Sequence, residues 1–308
     1  MFVTGALLYR GRFAPSPTGP LHFGSLIAAL ASCLEARCRG GEWLLRIEDV
    51  DTPRNVPGAA DAILRTLEAF GFVWDGPLLY QSRRVAAYEA ALDVLRGQGL
   101  LYPCACSRSE IAAAASRTAV DGGAVYPGTC RDGLRPGAEA RAWRLRVDDA
   151  VVVFEDRLQG IVEQRLAEQV GDFVLRRADG IHAYQLAVVV DDASQGITDI
   201  VRGADLLAST PRQLWLQQCL GYPRPGYAHL PVATNPAGEK WSKQTLAPAL
   251  AAGKAAAELV RALRFLGQPA PAELAAAPVA EVWDWALANW SFATIPRVPA
   301  ISVPATAA

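Results

Sequence analysis

The fold of this chain is decided by one stretch near its N-terminus, Arg12-Phe13-Ala14-Pro15-Ser16-Pro17-Thr18-Gly19-Pro20-Leu21-His22-Phe23-Gly24-Ser25. The apolar run at 7–14 that leads into this stretch predicts a strand, and the prolines with Gly19 at 15–20 predict a turn. Helical spacing of apolar residues then begins at Leu26 and continues beyond Leu30. A strand, a loop and a helix in this order are typical of an α/β fold with a parallel sheet.

The same alternation continues outward from that stretch. The segment 42–47 follows Gly40-Gly41 and predicts a second strand, and helical spacing returns at 58–70 and at 84–96. Further on, the apolar, β-branched run at 184–190 predicts another buried strand of the same sheet. We therefore expect an α/β protein in which crossover helices connect parallel strands.

Changes in composition divide the chain into four segments. Residues 1–101 are expected to form the first half of the core, and residues 102–183, which begin with Cys-, Gly-, Pro- and Arg-rich sequence, are expected to form an insertion. Residues 184–247 are expected to complete the core. Residues 248–308 are expected to be helical and Ala-rich to about Trp290, with an extended, Pro-rich tail from 295.

The overall composition sets limits on function. The chain has 308 residues, 51% of them hydrophobic, which is enough to bury a full core. Its formal net charge is -1, so any RNA must be bound by a local basic surface; the Arg-rich stretches at 131–146 and 176–177 are candidates, and they are equally well explained as solvated faces. The apolar start at 1–8 is too short for a signal peptide, and no run of about 18 apolar residues exists that could span a bilayer. We expect a cytoplasmic protein with no membrane partner and, by default, a monomer.

Two short motifs are candidates for binding phosphate. The turn around His22 and Gly24 lies between a predicted strand and a predicted helix, where backbone N–H groups and the helix dipole attract anions. Taken alone, it is as well explained as an ordinary tight turn. Far downstream, Lys240-Trp241-Ser242-Lys243-Gln244 places two lysines around a serine. Taken alone, that sequence is typical of a solvated, charged loop.

Together these motifs carry a more specific signal. With Arg46-Ile47-Glu48-Asp49 and Gly203-Ala204-Asp205-Leu206, they resemble the glutamyl/glutaminyl subgroup of class I aminoacyl-tRNA synthetases over residues 8–250. The resemblance implies a Rossmann-like class I catalytic core that carries a zinc-bearing insertion and a short helical C-terminal segment. It also implies an ATP-dependent ligase that forms an aminoacyl adenylate.

The resemblance assigns roles to the residues of the two phosphate motifs. It implies that His22 holds the triphosphate of ATP and that Lys243 neutralises charge as pyrophosphate leaves, so that both are catalytic. The further ATP contacts that it implies are Gly24, Ser25, Lys240 and Ser242, with Mg²⁺ accompanying ATP. Trp241 departs from the family pattern, in which a smaller apolar residue stands at this position, and we expect the change to be tolerated.

A glutamate ligand carries two carboxylates and one ammonium, so its pocket needs an arginine fork, an anion and a polar cap. Arg12, Glu48, Tyr184 and Arg202 meet that demand. Taken singly, the arginines are as well explained as surface ion pairs, Glu48 as a solvated or capping carboxylate, and Tyr184 as a core ring. The resemblance favours the pocket, with Arg12 or Arg202 binding the side-chain carboxylate of L-glutamate. It adds neighbouring contacts at Phe13, Ala14, Pro15 and Ser16.

Three of the six cysteines lie close together in the predicted insertion. Cys104, Cys106 and Cys130 indicate a closed structural zinc site with one Zn²⁺ per chain, the alternative being three reduced thiols. The fourth ligand is open on the residues alone, with Glu110 and Asp121 as candidates, whereas the resemblance implies Tyr126. The other cysteines, Cys33, Cys38 and Cys219, are expected to be small buried apolar residues. The acidic residues Asp49 and Asp51, which follow Glu48, are expected to organise the strand-to-helix turn and are assigned no metal.

The acceptor follows from the resemblance and not from the residues. Only about 65 residues follow Lys243, and we expect no large anticodon-binding region there. This size resembles the branch whose members attach glutamate to queuosine in the anticodon of tRNA(Asp), with adenylate formation independent of tRNA. The alternatives are a truncated glutamyl-tRNA synthetase paralogue, a non-catalytic relic that binds glutamate, ATP or RNA, and an adenylate-forming ligase that acts on a small amine.

Overall fold

A computed structural model describes residues 8–120, 122–147, 149, 151–241 and 248–303. Its strands are β1 Arg10–Phe13, β2 Glu42–Ile47, β3 Leu79–Tyr80, β4 Leu101–Cys104, β5 Ala142–Leu145, β6 Val151–Asp156, β7 Gly160–Arg165, β8 Phe173–Arg176, β9 Asp199–Gly203, β10 Gly226–Leu230, β11 Val232–Thr234 and β12 Ala300–Ser302. Its α-helices are α1 Phe23–Cys38, α2 Ala59–Ala69, α3 Val85–Gly97, α4 Arg108–Ala114, α5 Leu166–Gln169, α6 Tyr184–Ser194, α7 Thr210–Leu220, α8 Ala255–Phe265 and α9 Val279–Asn289.

The first half of the core is the predicted parallel unit. Strands β1, β2 and β3 lie side by side in that order, and both neighbouring pairs run parallel. Helix α1 connects β1 to β2 and is apolar on almost every side, because it packs on these strands with one face and on α8 and α9 with others. The α/β class and the elements predicted at 7–14, 42–47, 58–70 and 84–96 are therefore confirmed within a few residues.

A second core sheet, in the order β7-β6-β10-β9, combines β6 and β7 from the range predicted as the insertion with β9 and β10 from the predicted second half of the core. Strand β10 is parallel to β6 and β9, and β6 and β7 form an antiparallel hairpin. This sheet meets the first one where β9 approaches β1: Thr198 N–H donates to Arg10 O at 3.0 Å, and Arg10 N–H donates to the Thr198 hydroxyl at 2.8 Å. The carboxyl ends of β1, β9 and β10 consequently open toward one region, the usual place for a ligand in an α/β sheet.

The strand predicted at 184–190 is wrong, because these residues begin helix α6. Every residue from Leu186 to Asp192 is buried, so the run shows neither the helical nor the strand period that a half-exposed element would show. The helix is buried between α3, α7 and the β8 region, and tertiary packing overrides the strand preference of the valines. Tyr184 therefore stands in the first turn of a helix, with its side chain on the core edge.

The predicted insertion contains an antiparallel sheet in the order β4-β5-β8, with the helix α4 and the loops between β4 and β5 at one end. Asp172 fastens these loops: its carboxylate accepts hydrogen bonds from Tyr102 at 2.6 Å, from Arg131 at 2.9 Å and from the N–H of Val147 at 2.7 Å. Arg131 therefore forms an ion pair within the fold, a role that differs from both the RNA contact and the solvated face considered for the 131–146 stretch.

The C-terminal segment is helical as predicted, although it is broken into α8, a 3-10 turn and α9. Buried Glu35 of α1 fastens it to the core by accepting hydrogen bonds from Trp290 Nε1 at 3.0 Å and from Arg157 at 2.8 Å. The expected extended tail contains β12, which pairs in parallel with β11. None of the helices in the described ranges has both the length and the apolar character needed to cross a membrane.

Candidate active site and metal centre

A cavity of about 630 Å³ opens at the carboxyl ends of β1, β9 and β10, and we call it the larger cavity. Four groups of residues form its walls: the loop after β1, the first turn of α1, the segment after β9, and β11 with its flanks. The predicted site residues that line it are Phe13, Ala14, Pro15, Ser16, His22, Gly24, Ser25 and Lys240. Arg54, Asp205 and Trp241 also line it.

The first turn of α1 has the geometry of an anion site. His22 is the N-cap: its Nδ1 accepts from Gly24 N–H at 3.1 Å, and its own N–H donates to the Ser25 hydroxyl at 3.3 Å. No acidic residue stands in this turn, so the positive end of the helix dipole is not neutralised locally. A Cβ on Gly24 would lie 3.1 Å from the His22 ring, so glycine there lets the ring sit close over the turn.

The described segments on either side of 242–247 lie close to this turn: the backbone oxygen of Trp241 is 3.6 Å from the position of a Cβ on Gly24. Trp241 N–H donates to Ala233 O at 2.8 Å, and Leu250 N–H donates to Leu21 O at 2.9 Å. Lys240 Nζ forms an ion pair with Asp205 at 2.6 Å across the larger cavity. The predicted Ser242 and Lys243 lie outside the described residues.

A smaller cavity of about 290 Å³ adjoins the larger one and shares part of its wall. Arg12, Glu48, Tyr184 and Arg202, which are far apart in the chain, all line it. Phe13, Ala14 and Ser16 line both cavities and so form the boundary between them. The structure thus brings together the four residues that the sequence proposed for a glutamate pocket.

A buried charge network supports one side of the smaller cavity. Arg12 donates from Nε and Nη2 to the two carboxylate oxygens of Asp192, at 3.1 and 3.3 Å. Arg46 donates to Asp192 at 2.8 Å and to Glu48 at 3.3 Å, and its side chain has no solvent exposure. Two cations therefore share two carboxylates in a nearly dry environment, where each charge depends on its partners.

The network sets the pKa values of its carboxylates in opposite directions. Burial alone would raise the pKa of Asp192, but Arg12 and Arg46 bring it below its ordinary value. Burial raises the pKa of Glu48 despite the opposing charges of Arg46 and Arg12. Glu48 is thus the carboxylate of this pair that is open to stabilisation by a further cation, such as the ammonium of an amino acid.

Arg202 lies on the opposite side of the smaller cavity and has a different kind of environment. Its hydrogen-bond partners are uncharged side chains: His229, Thr210 and Gln213 at 3.0, 2.8 and 2.8 Å, and the hydroxyl of Tyr184 at 3.5 Å. The guanidinium is buried, and among the described residues no carboxylate contacts it directly. Its positive charge is therefore available to an anionic ligand.

The three cysteines of the insertion form a candidate metal centre. The sulfurs of Cys104, Cys106 and Cys130 all lie within 4.8 Å of one another, and those of Cys106 and Cys130 are 3.6 Å apart. Thiolates on a tetrahedral zinc ion are about 3.8 Å apart, from Zn–S bonds of about 2.3 Å. The spacing fits a metal ion held at the centre of the cluster.

Tyr126 lies with its hydroxyl beside this cluster. Its hydroxyl oxygen is 3.4 Å from Cys104 Sγ and 3.8 Å from Cys106 Sγ, and it accepts a hydrogen bond from the N–H of Cys130 at 2.9 Å. Glu110 is engaged elsewhere, because its carboxylate caps α4 at Ser107. Asp121 lies outside the described residues.

Several residues of the site were missed by sequence reasoning. Arg46 belongs to a quoted motif but had no role assigned to it, and the pairing of Asp192 with Arg12 joins positions 180 residues apart, which no local pattern reveals. His229 gave one signal, a histidine within an apolar strand, that was not used. The side chains of Asp49 and Asp51 contact distant segments instead of capping the turn: Asp49 accepts from Ser82 at 2.7 Å, Asp51 pairs with Arg177 at 2.9 Å, and Asp51 makes no side-chain cap to the 3-10 turn that follows it.

Comparison with protein families gives one match over most of the chain. Residues 9–269 match the family described as tRNA synthetases class I (E and Q), catalytic domain. A glutamyl-Q tRNA(Asp) synthetase of Dechloromonas aromatica is 69% identical over 297 residues, which is 96% of this chain and 99% of the relative. A protein of the same name from Chromobacterium violaceum is 63% identical, covering 95% of this chain and 97% of the relative.

Solved structures show the same architecture. The glutamate-tRNA synthetase of Elizabethkingia anophelis superposes with a TM-score of 0.78 at 25% identity, covering 96% of this chain and 68% of the other. A glutamate tRNA ligase from Elizabethkingia meningosepticum, solved in complex with its amino acid, gives a TM-score of 0.77 at 25% identity, with 95% and 66% covered.

Proposed function

The chain belongs to the class I tRNA synthetases for glutamate and glutamine, and from that membership we propose that it activates L-glutamate with ATP and transfers it to queuosine in tRNA(Asp). It is an ATP-dependent ligase, and its relatives at 69% and 63% identity carry the name of this reaction. The proposal extends to adenylate formation without tRNA.

One observation carries the residue assignments: the larger and smaller cavities share a wall at Phe13, Ala14 and Ser16. ATP in the larger cavity, with its phosphates at the first turn of α1, and glutamate in the smaller cavity would meet at that wall. A glutamate carboxylate oxygen then attacks the α-phosphorus, and the bond to the β-phosphate breaks as pyrophosphate leaves. Holding the two reactants in contact is the main catalytic contribution.

We assign the glutamate contacts by charge. Arg202 receives the side-chain carboxylate, because its direct partners are neutral, whereas two of the nitrogens of Arg12 are already used on Asp192. Glu48 receives the ammonium, and the hydroxyl of Tyr184 completes the wall beside Arg202. Arg12 remains on the side of Glu48, where its positive charge faces the reacting carboxylate.

The phosphate contacts follow from the larger cavity. We assign the triphosphate, with Mg²⁺, to His22, Gly24, Ser25 and Lys240, and by family resemblance to Ser242 and Lys243. Mg²⁺ would be held mainly by phosphate oxygens and water. Lys240 would exchange its ion pair with Asp205 for a phosphate when ATP enters.

The insertion is proposed to hold one structural Zn²⁺ through Cys104, Cys106, Tyr126 and Cys130. The cluster spacing and the position of the Tyr126 oxygen support these four donors. Zinc would fix the loops after β4 relative to the sheet that carries them. We further propose that the protein is a monomer and that it acts in the cytoplasm, where its tRNA substrate is found.

The experiment that tests the function is glutamate-dependent ATP–pyrophosphate exchange without RNA, followed by transfer of labelled glutamate to tRNA(Asp) with and without queuosine. We expect exchange without tRNA and transfer only to the modified tRNA. Transfer to tRNA(Glu) would instead identify a glutamyl-tRNA synthetase paralogue. Absence of exchange, with or without tRNA, would identify a non-catalytic binding protein.

A further inference from the structure

A buried carboxylate and a buried histidine lie directly behind Arg202. His229 Nδ1 is 2.5 Å from an oxygen of Asp156, and its Nε2 is 3.0 Å from Arg202 Nε. The side chains of His229 and Asp156 have no solvent exposure. Neither residue lines the smaller cavity, so both act on a ligand only through Arg202.

The contacts fix the tautomer of this histidine. An arginine nitrogen can only donate, so Nε2 of His229 must present its lone pair to Arg202, and the ring proton must be on Nδ1. The Asp156 carboxylate accepts that proton. Burial lowers the pKa of His229, and the neighbouring Arg202 adds to this against the hydrogen bond to Asp156, which agrees with a neutral ring.

The orientation of Asp156 is fixed in turn by the backbone. One of its oxygens, Oδ1, accepts hydrogen bonds from three N–H groups, those of Leu158, Gln159 and His229, at 3.0, 2.9 and 3.1 Å. The other oxygen, Oδ2, faces the His229 ring. The carboxylate therefore cannot rotate without breaking several bonds.

This arrangement suits an arginine that must bind an anion. A carboxylate in direct contact with Arg202 would compete with the ligand, whereas a neutral imidazole between the two charges orients the guanidinium and leaves its charge available. Thr210 and Gln213 accept from Nη2 of the same guanidinium at 2.8 Å each, and the Thr210 hydroxyl also lies 3.1 Å from His229 Nε2. The result is a cation with one fixed orientation.

We propose that His229, held by Asp156 as the Nδ1–H tautomer, is a positioning residue that aims Arg202 at the side-chain carboxylate of glutamate. The inference rests on the proposed function, in which Arg202 binds that carboxylate. It predicts that the tautomer of His229, which does not line the smaller cavity, controls the apparent affinity for glutamate but does not affect the apparent affinity for ATP.

The decisive variant is Asp156→Asn. The three backbone N–H groups hold the amide oxygen at the Oδ1 position, so the NH₂ group must face His229 Nδ1. The ring must then carry its proton on Nε2, which points a donor at the Arg202 donor. We expect the KM for glutamate in pyrophosphate exchange to rise about tenfold or more, as for the loss of a hydrogen bond to a charged group, while the KM for ATP changes less than about twofold.

The tautomer can be measured directly, because the chain has only three histidines. With ¹⁵N-labelled histidine, NMR of the wild type should show the His229 proton on Nδ1, and Asp156→Asn should move it to Nε2. A change of tautomer without a change in the glutamate KM would overturn the inference. Absence of glutamate-dependent exchange in the wild type would overturn the proposed function itself, so the two failures are distinguishable.

Two further variants guard against a loss that reflects misfolding. His229→Gln can keep an acceptor near Arg202 and should recover part of the glutamate affinity that His229→Leu loses; equal loss in both would contradict the role of the acceptor. His182→Gln is the matched control, because His182 is also buried against a carboxylate, that of Glu89 at 3.0 Å, but does not line either cavity. It should leave the glutamate KM within about twofold of the wild type while showing the general effect of removing a buried histidine.

Discussion

The charged residues of this site are buried, so the behaviour of each one depends on the charges that pair with it. Asp192 neutralises both Arg12 and Arg46, so the smaller cavity is bounded by charges that cannot be removed one at a time. Sequence reasoning proposed Arg12, Glu48, Tyr184 and Arg202 because their chemistry suits glutamate and because they match positions of the resembled family. It missed Asp192, Arg46, Asp156 and His229, because their task is to hold other residues, and that task exists only in three dimensions.

Replacing Asp192 with asparagine should destabilise the protein by about 3–5 kcal/mol, because two buried cations lose their shared carboxylate. Urea unfolding measures the change in the free energy of unfolding. Glu42→Gln is the matched control, because it breaks an ion pair with Arg10 in which both side chains are about a third exposed. We expect that variant to lose less than about 1 kcal/mol. In the wild type the pKa of Asp192 is lowered, so its stabilisation is present above the ordinary pKa of 3.8 and is lost only as the pH falls below it. Similar losses in the two variants would contradict the network.

Glu48 should give glutamate binding a pH dependence. Its pKa is raised by burial, so in the free protein it gains a proton at a pH above its ordinary value of 4.5 and then no longer attracts an ammonium. We expect the KM for glutamate in pyrophosphate exchange to rise on acidification, beginning above pH 4.5, while the KM for ATP over the same range does not follow it. Glu48→Gln should bind glutamate weakly without this pH-dependent step; the same pH profile in that variant would assign the titration to another group.

At the scale of elements, helix α6 shows where periodicity fails and why. A fully buried run has no polar face to set its period, so the valines at 188–190 were assigned to a strand although they lie in a helix. The elements with one exposed face, such as α2 and α3, were predicted to within two residues. Sequence periodicity therefore predicted these half-exposed helices of the fold more reliably than the fully buried helix α6.

The contact between α2 and α9 depends on a glycine. Gly71 has φ +77, and a Cβ there would lie 2.7 Å from Trp283 Nε1, which donates to Phe70 O. Gly71→Ala should lower the free energy of unfolding by roughly 1–2 kcal/mol for the left-handed backbone and by roughly 1–3 kcal/mol more for the displaced tryptophan. Gly180→Ala is the matched control, with φ +81 and nothing within 4 Å of its Cβ. Equal losses in urea unfolding would show that α9 moves aside freely.

The metal centre should depend on four side chains of the insertion. Cys130→Ala should remove zinc from protein purified without chelator, and Cys38→Ala, which changes an exposed cysteine outside the cluster, should retain about one ion per chain. Tyr126→Phe should lose zinc to a competing chelator faster than the wild type, because its fourth donor is gone. Metal analysis measures the zinc content of each protein. Unchanged zinc retention in Tyr126→Phe would exclude the phenol as a ligand, and a wild-type protein without zinc would exclude the metal site.

At the scale of the whole molecule, the site lies where two halves of the core meet at β1 and β9. The family resemblance predicted that Arg12 and Arg202 share a pocket, and the structure brings them together because the carboxyl ends of β1 and β9 open toward one region. The sequence could not predict how the C-terminal segment docks on the core, since that depends on tertiary contacts of Glu35, Arg157 and Trp290 with no motif of their own.

The tail supports a wall of the larger cavity. Strand β12 pairs with β11 along its length, Val303 N–H donates to Thr234 O at 2.8 Å, and Val232 and Ala233 of β11 line the cavity. Removing residues 300–308 should therefore raise the KM for ATP severalfold, because β11 loses its partner next to the lysine motif. Removing only 304–308 is the matched control and should leave that KM near the wild-type value; an equal effect of the two truncations on pyrophosphate exchange would contradict this role.

The position of β12 also bears on how the protein is handled in the laboratory. A purification handle that replaces residues 304–308 would begin directly after Val303, beside the wall of the larger cavity that β12 supports, and so near the opening of that cavity. Immobilisation through such a handle would bring a solid support to the same opening. Leu8 is exposed and precedes the amino end of β1, whereas the larger cavity lies at the carboxyl end of that strand, so a handle that replaces residues 1–7 is the alternative. Assays with the two kinds of fusion would differ most at low ATP.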